Sequence, residues 1–380
     1  MARDSQPIFI SAGEFSGDLL AADLVPALAN AFPGRAFFGV TGPSMDAAGV
    51  RSVARVSELS VMGFAEVASK LGSLALLEKR IFAAVERLDP AFVVTVDFPG
   101  FHFRLAEFCR QCGIPVYQYV APKLWAWGAS RISRLKSDFS GVLGILPFER
   151  DFFLERGVRY EYVGSPHVDR ISRIKVERSL FGLAGDRLTQ PVVLLLPGSR
   201  VAEITSIAPL LVRTARAIES MVPGVCFAVP VAPSLDVEFV RSRFAGLKSV
   251  TVVAGASLEL MSVSDVAVVA SGTATLECSL SGLPMAVVYQ MSPLTHMIAQ
   301  RVVTVKHASL VNLLAGEEVV PEFIQDVDAQ AVAACVRDLI LDSSVRDRQL
   351  AGLALANSTL HGGAAQSAAI CIQRWQGAGG

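Results

Sequence analysis

Charged residues are scarce in this chain. Asp, Glu, Lys and Arg make up 18% of its 380 residues, and the formal net charge is −1 at pH 7. Because soluble proteins usually carry about a quarter charged residues, the deficit predicts extensive buried strands or exposed apolar patches. A net charge this close to zero leaves no basic surface of the kind that binds nucleic acid, and we expect no nucleic-acid partner.

Long apolar runs are also missing, although the mean hydropathy is +0.47. No window reaches the roughly 18 unbroken apolar residues that a membrane-spanning helix requires. The first residues, MARDSQPIFISAG, enter a strand almost at once and lack the apolar stretch of a signal peptide. These absences predict a cytoplasmic protein.

Cysteine patterns that would indicate disulfides or metal sites are lacking. The six cysteines are scattered, and Cys109 and Cys112 form a C-x-x-C without a second pair or a thioredoxin-like setting. We interpret both as ordinary helix residues. The sequence also shows no metal-ligand cluster and no D-x-D on a suitable loop, so it predicts an enzyme with neither a metal nor another cofactor.

Strands and helices alternate along the chain. Strand-length apolar runs recur between Pro7 and Ile145 and again between Val192 and Val288, with helix-length segments between them. This alternation predicts an α/β protein with two Rossmann-like, doubly wound domains that face a central cleft. We expect these domains at residues 1–168 and 169–345. The C-terminal helices, 346–380, would return to the first domain or pack on another subunit.

Two strand–loop–helix turns of the second domain have the composition of a phosphate site. The run VVLLL ends in PGSR (197–200), and the run VAVVA ends in SGT (271–273). Backbone N–H groups at a helix N-terminus bind anions, and a guanidinium adds charge-assisted hydrogen bonds. The alternative is a pair of ordinary capped turns. The candidate diphosphate ligands are Gly198, Ser199, Arg200, Ser271, Gly272 and Thr273.

The loop SAGEFSGD (11–18) follows the first strand of the chain. Its glycine spacing is not that of a dinucleotide site, and Glu14 would repel a pyrophosphate there. A carboxylate with the hydroxyls of Ser11 and Ser16 suits a sugar better. In the alternative interpretation, Ser16 and Asp18 cap the following helix.

Asp97 ends the apolar strand AFVVTVD and is the best candidate for a general base. Its phenylalanine-rich surroundings, Phe98, Phe101 and Phe103, predict a desolvated carboxylate whose pKa is raised. His102 competes for the same role. Capping of the next helix is the ordinary alternative.

Two further segments predict contact with a lipid or a membrane. Trp125 and Trp127 stand in one short loop beside a cluster of basic residues, a combination typical of a phosphorylated or lipid-linked ligand or of a membrane interface. An apolar stripe that includes Phe64, Leu71 and Leu74 would permit shallow insertion into a bilayer. Core packing is the alternative for both.

The motifs SAGEFSGD, VMGFAEV (61–67), YVAPKLWAWG (119–128), LPFE (146–149), LLPGSRVAEI (195–204) and ASGTATLE (270–277) occur in this order. Together they make the chain similar to the lipid-A-disaccharide synthases, inverting glycosyltransferases of the GT-B fold. The resemblance implies transfer of 2,3-diacylglucosamine from UDP-2,3-diacylglucosamine to 2,3-diacylglucosamine 1-phosphate (lipid X). It implies a Gram-negative source, lipid A biosynthesis and peripheral attachment to the cytoplasmic face of the inner membrane. A homodimer stays open.

The resemblance also implies roles for single residues. Asp97 would take the proton of the acceptor 6-hydroxyl, with Glu14 as the rival base or as a ligand of sugar hydroxyls. Arg200 would offset charge on the departing UDP. Glu277 would accept hydrogen bonds from the ribose, and Asn312 would lie near the nucleotide.

Five positions depart from the family pattern: Gly100, His102, Ala121, Gly128 and Ser165. Roles at Gly100 and His102 do not carry over, and the other three predict a different acceptor or acyl-chain preference. His102 stands where an Asn is usual, and Ser165 replaces the His or Asn of a V-G-[H/N]-P element. Two other functions stay open. A sugar-nucleotide epimerase would act on a soluble donor alone, and a non-catalytic scaffold would not need Asp97.

Overall fold

The computed structural model describes residues 6–60, 67–183, 190–270, 272–290 and 305–377. Phe64 and Ser271, which the sequence associates with lipid and phosphate binding, lie outside the described residues. The side chain of Leu71 is likewise not described. The chain divides into two compact units, residues 1–166 with 361–380 and residues 167–360.

The first unit is built on a parallel sheet of seven strands in the order β3-β2-β1-β4-β5-β6-β7. Its elements are β1 (Ile8–Ala12), α1 (Phe15–Ala31), β2 (Phe37–Thr41), α2 (Pro43–Ala47), β3 (Arg51–Arg55), α3 (Val56–Ser60), α4 (Val67–Leu88), β4 (Phe92–Val96), α5 (Pro99–Gln111), β5 (Val116–Tyr119), α6 (Ile132–Asp138), β6 (Gly141–Gly144), α7 (Glu149–Glu155) and β7 (Tyr160–Tyr162). The division between the units falls just after the first residue of α8 (Pro166–Ile171).

The second unit repeats this plan with six parallel strands in the order β10-β9-β8-β11-β12-β13. Its elements are β8 (Val192–Leu196), α9 (Val201–Met221), β9 (Cys226–Val231), α10 (Val237–Phe244), β10 (Val250–Ala254), α11 (Ser257–Val263), β11 (Val266–Ala270), α12 (Thr273–Leu280), β12 (Met285–Tyr289), α13 (Leu310–Ala315), β13 (Glu322–Ile324), α14 (Ala329–Leu341) and α15 (Ser343–Asn357).

Both faces of the second sheet are buried. In β8, Val193 and Leu195 belong to one apolar cluster, whereas Val192, Leu194 and Leu196 belong to the other. Successive side chains of a strand point to opposite faces, so a strand covered by helices on both sides must be apolar throughout. This is why the strands are continuous apolar runs in the sequence, and why the hydrophobic content is high.

The strand order reverses direction once in each sheet, between β1 and β4 and between β8 and β11. At such a switch point the two flanking loops leave in opposite directions and open a crevice beyond the carboxyl ends of the strands. The loops at these points follow Ala12 and Val96 in the first unit and Leu196 and Ala270 in the second. The sequence motifs therefore lie where a doubly wound sheet binds its ligands.

The last helix, α16 (Ala364–Gly377), belongs to the first unit and packs on α1. Its Trp375 stacks on Tyr117 with 5.8 Å between ring centroids. A Cβ at Gly141 would lie 2.2 Å from the Trp375 ring, so only glycine admits the indole there. The helix before it, α15, belongs to the second unit, so the chain leaves that unit after residue 360, later than the predicted 345.

Two doubly wound α/β units confirm the predicted fold class. The sequence did not reveal three strands, β3, β7 and β13. Each of them ends its sheet and is only three to five residues long. The residues of β3, RSVAR, are mostly exposed. Because an edge strand need not be apolar on both faces, these segments lack the signal that identified the central strands.

Candidate functional site

Ser11, the fourth residue of β1, is fully buried at the first switch point. Its Oγ lies 3.0 Å from Nε2 of His102. The hydroxyl is therefore used inside the protein, which corrects the expectation that Ser11 binds an acceptor sugar. Ser16 is exposed in the first turn of α1 and remains accessible.

Gly13 brings the loop after β1 against the loop after β4. A Cβ at this position would come within 2.0 Å of the Phe98 ring, so the ring occupies the space of a side chain. Glu14 follows as the N-terminal cap residue of α1, and its carboxylate makes no capping hydrogen bond. Gly13 and Phe98 are in contact, Glu14 directly follows Gly13, and Asp97 directly precedes Phe98. The two candidate carboxylates therefore belong to neighbouring loops.

Asp18 has a structural role. It is buried, and its carboxylate accepts hydrogen bonds from the backbone N–H groups of Gly42, Ser44 and Met45 at 2.7, 2.9 and 3.1 Å. Asp18 therefore caps α2, not its own helix, because the fold places the N-terminus of α2 beside α1. It offers nothing to a ligand.

Asp97 is exposed at the carboxyl end of β4. Phe101 and Phe103 are instead buried on α5. The expectation of a desolvated carboxylate is therefore wrong, because the neighbouring rings fill the core. Asp97 and Phe98 both have φ of 49°, in the left-handed region, and this turn leads the chain from β4 into α5.

His102 is fully buried, and burial lowers its pKa to about 4. Its Nε2 faces Ser11, and its Nδ1 lies 2.6 Å from the backbone oxygen of Asp97. The imidazole is neutral near pH 7, and both of its nitrogens are already engaged. His102 therefore cannot compete with Asp97 as the general base, which corrects that alternative.

The loop after β8 binds a carboxylate of its own chain. Glu203 accepts hydrogen bonds from the N–H groups of Ser199 and Arg200 at 2.9 and 3.3 Å. Gly198 has φ of 109°, and a Cβ there would come within 2.5 Å of the Glu203 carboxylate. The backbone N–H groups of Ser199 and Arg200, which we expected to bind phosphate, thus already donate to the helix-capping Glu203. This is the arrangement of an ordinary capped turn. The Arg200 side chain is 61% exposed and lies 3.4 Å from Glu203.

The second turn at this switch point begins at Gly272, whose φ of 139° is open to glycine alone. Thr273 is exposed at the start of α12. One turn further, Glu277 lies 3.1 Å from Nδ1 of His167, which is buried. The sequence did not identify His167, because 110 residues separate it from Glu277.

Asn312 is fully buried, and its amide makes four hydrogen bonds within the second unit. The oxygen accepts from the N–H groups of Val319 and Val320, and the nitrogen donates to the Val320 carbonyl and to Glu322. An amide has no further capacity. The Asn312 amide therefore holds the turn between α13 and β13 and has no hydrogen bond left for a nucleotide, which corrects its assignment as a nucleotide ligand; its position near the nucleotide stays a prediction.

The two tryptophans of the 119–128 loop differ. Trp125 is anchored, since its indole N–H donates to the Glu149 carboxyl at 2.8 Å and its ring packs edge-on against Phe148. Trp127 has 49% of its surface exposed. Of this pair, Trp127 is therefore the residue that presents an apolar ring to solvent.

Glu149, the hydrogen-bond partner of Trp125, has a strongly raised pKa. It is buried, and this burial raises its pKa to about 8. The Tyr160 hydroxyl lies 3.4 Å from its second oxygen. Near pH 7 the side chain is mostly protonated, so it joins α7 to the tryptophan loop without placing a charge in the core. The sequence contained Glu149 in its LPFE motif but carried no signal for this role.

The apolar stripe of α4 is partly core. Leu77 and Ile81 are buried, Leu74 is half-buried, and Leu76 has 69% of its surface exposed. Among the described side chains of this stripe, Leu76 is the one that presents a large apolar surface to solvent. None of the described helices is both long and apolar enough to cross a bilayer. Within the described ranges, no group of three His, Cys, Asp or Glu side chains could hold a metal ion.

Two doubly wound parallel sheets in one chain, with polar turns at both switch points, define a protein of the GT-B fold. A UDP-GlcNAc 2-epimerase from Neisseria meningitidis bound to UDP-GlcNAc has a similar structure, with a TM-score of 0.64, 12% identity and coverage of 97% of this chain and 99% of that chain. The glycotransferase of kitacinnamycin gives a TM-score of 0.61, 18% identity and coverage of 98% and 99%. At these identities the likeness establishes the fold alone.

The family follows from sequence. The family model of lipid-A-disaccharide synthetase matches residues 8–361. The lipid-A-disaccharide synthase of Myxococcus xanthus is 39% identical over 353 residues, which cover 91% of each chain. The chain belongs to the lipid-A-disaccharide synthase family and is a UDP-sugar-dependent glycosyltransferase, as the ordered motifs indicated.

Proposed function

We propose that this chain transfers 2,3-diacylglucosamine from UDP-2,3-diacylglucosamine to the 6-hydroxyl of lipid X, forming the β-1,6-linked disaccharide 1-phosphate and UDP. The observation that carries the proposal is the position of Asp97. Its carboxylate is exposed at the first switch point, where a doubly wound sheet binds ligands, and the Gly13–Phe98 contact brings Glu14 into the adjoining loop.

The reaction requires one proton transfer and one displacement. Asp97 accepts the proton of the acceptor 6-hydroxyl as that oxygen attacks the anomeric carbon, and the bond to the UDP oxygen breaks on the opposite face. Glu14 binds sugar hydroxyls beside it. An exposed carboxylate is accessible to the acceptor, and this accessibility favours Asp97 over the buried His102.

The second unit binds the donor nucleotide in this proposal. The exposed guanidinium of Arg200 offsets charge on the leaving diphosphate, together with the N-terminus of α12 at Gly272 and Thr273. Because Glu203 holds the N–H groups of Ser199 and Arg200, the Arg200 side chain contributes more than the loop backbone. Glu277, oriented by His167, accepts the ribose hydroxyls.

Peripheral attachment to the cytoplasmic face of the inner membrane completes the proposal, because both substrates are acylated. Trp127 and Leu76 are its best-supported contacts, since each exposes a large apolar side chain. Replacing both with serine should reduce binding to anionic vesicles without changing the Tm. Unchanged vesicle binding would remove these residues from the interface.

A homodimer remains a prediction, to be checked by sedimentation.

The test of the reaction is a detergent-micelle assay with radiolabelled lipid X and UDP-2,3-diacylglucosamine, resolved by thin-layer chromatography. Asp97→Asn should lower kcat by about a hundredfold or more while UDP affinity is kept, the usual scale for losing a general base. The matched control is Asp151→Asn, which changes an exposed carboxylate on α7.

Two outcomes would contradict the proposal. Near-normal turnover of Asp97→Asn would transfer the base role to Glu14. A wild-type protein that consumes donor without lipid X, and forms no disaccharide, would favour the epimerase alternative.

A further inference from the structure

The turn that carries Asp97 has an unusual backbone. Two consecutive residues, Asp97 and Phe98, have φ of 49°, a region that residues other than glycine seldom occupy and that is least favourable for bulky side chains. Such a conformation persists only where surrounding contacts determine it. The contacts around this turn therefore decide where the Asp97 carboxylate points.

Two buried side chains converge on the backbone oxygen of Asp97. Nδ1 of His102 lies 2.6 Å from it, and Nε2 of Gln118 lies 3.2 Å from it. The N–H of Asp97 donates to the Tyr119 carbonyl at 3.0 Å. Both polar groups of this backbone segment are thus held by α5 and β5, although the Asp97 side chain itself is exposed.

The hydrogen-bond partners settle the tautomer of His102. A carbonyl oxygen only accepts, so Nδ1 carries the proton, and Nε2 of the neutral ring accepts from the Ser11 hydroxyl. The low pKa of this fully buried ring, about 4, keeps it neutral. The Asp97 carbonyl therefore selects the tautomer, and the Ser11 hydroxyl in β1 accommodates it by donating to Nε2. Three strands, β1, β4 and β5, contribute to one network.

We propose that His102 is a positioning residue for the transfer reaction: its Nδ1–H, donated to the Asp97 carbonyl, holds the left-handed turn that aims the Asp97 carboxylate at the acceptor. This inference rests on the proposed role of Asp97 as the base. The network lies within the first unit, whereas the donor nucleotide is assigned to the second. Its loss should therefore lower kcat and leave UDP binding unchanged.

The experiment compares His102→Leu with His102→Asn. Leucine fills the space but has no N–H. Asparagine carries an amide N–H as many bonds from its Cβ as Nδ1 of histidine. We expect His102→Leu to lower kcat on the order of tenfold to a hundredfold, the scale of a misplaced catalytic group, with unchanged UDP affinity. His102→Asn should recover most of the loss, to within about threefold of wild type by the same geometric criterion.

A double-mutant cycle with Asp97→Asn identifies the route of the effect. If His102 acts through Asp97, adding His102→Leu to Asp97→Asn should cost little further activity, since the group being positioned is already gone. Rates are normalised to the concentration of UDP-binding sites, so that misfolded protein does not count. If His102→Leu fails to fold, Gln118→Met removes the other donor to the same carbonyl and should lower kcat in the same manner.

Each failure has a distinct signature. Full kcat in His102→Leu, while Asp97→Asn is inactive, would overturn the positioning role and leave the proposed base intact. Equal losses in the leucine and asparagine variants would also overturn it, because they would reflect packing alone. Full activity of Asp97→Asn would instead refute the assignment of the base.

Discussion

Replacement of Glu149 with glutamine should stabilise the first unit relative to wild type by an amount that grows as the pH rises from acidic to neutral. Burial raises the pKa of Glu149 from 4.5 to about 8. Between these values the folded protein binds a proton that the unfolded chain releases, so the stability of the wild type falls as the pH rises through this window. The amide of glutamine does not titrate, and the variant escapes this loss.

The magnitude follows from proton linkage. One pKa unit corresponds to about 1.4 kcal/mol, and integrating the two titrations between about pH 5 and pH 7 gives a loss of about 2–3 kcal/mol for the wild type alone. At about 2–4 °C per kcal/mol for a unit of this size, the Tm difference in favour of Glu149→Gln should grow by roughly 5–10 °C over the same interval. Above about pH 8 the difference should level off.

Differential scanning calorimetry at several pH values measures this difference. Glu155→Gln is the matched control, because Glu155 lies on the same helix with 74% of its side chain exposed. That variant should show no such trend. A difference between Glu149→Gln and wild type that stays constant with pH would refute the reasoning, since it would mean that Glu149 is ionised in the folded protein. The amide oxygen introduced by Glu149→Gln would still accept the indole N–H of Trp125, so the loop should keep its anchor.

Two further predictions concern the switch points. Gly13→Ala should displace the Phe98 ring, because the new Cβ would lie 2.0 Å from it, and kcat measured by steady-state kinetics should fall about tenfold or more. The control is Gly100→Ala, whose new Cβ would meet no atom within 4 Å. Equal rates in the two variants would show that the two loops are not coupled. His167→Ala should weaken UDP binding about tenfold by releasing the Glu277 carboxylate. Isothermal titration calorimetry measures this, and an equal further loss in a Glu277→Ala background would contradict it.

The family and the positions of the switch-point loops were evident in the sequence for a physical reason. Strands covered on both faces must be apolar throughout, so β8 and β11 appear as VVLLL and VAVVA. The residues after such runs must lie at the carboxyl edge of a parallel sheet. Local composition therefore determined the fold class and placed Asp97, Arg200 and Gly272 in loops at the switch points.

The tertiary structure alone decided which polar groups are buried inside the units and which stay accessible at the switch points. Ser11 and His102 are 91 residues apart, and they meet because β1 and β4 are neighbours in the sheet. Glu322 meets Asn312 over a shorter separation, because the turn between α13 and β13 folds back on the helix. The sequence does not show whether the hydroxyl of a serine, the imidazole of a histidine or the amide of an asparagine is accessible to substrate or forms hydrogen bonds with a buried backbone group. The order of strands in the sheet decides between these two roles. It brings together the hydrogen-bond partners that buried polar groups need.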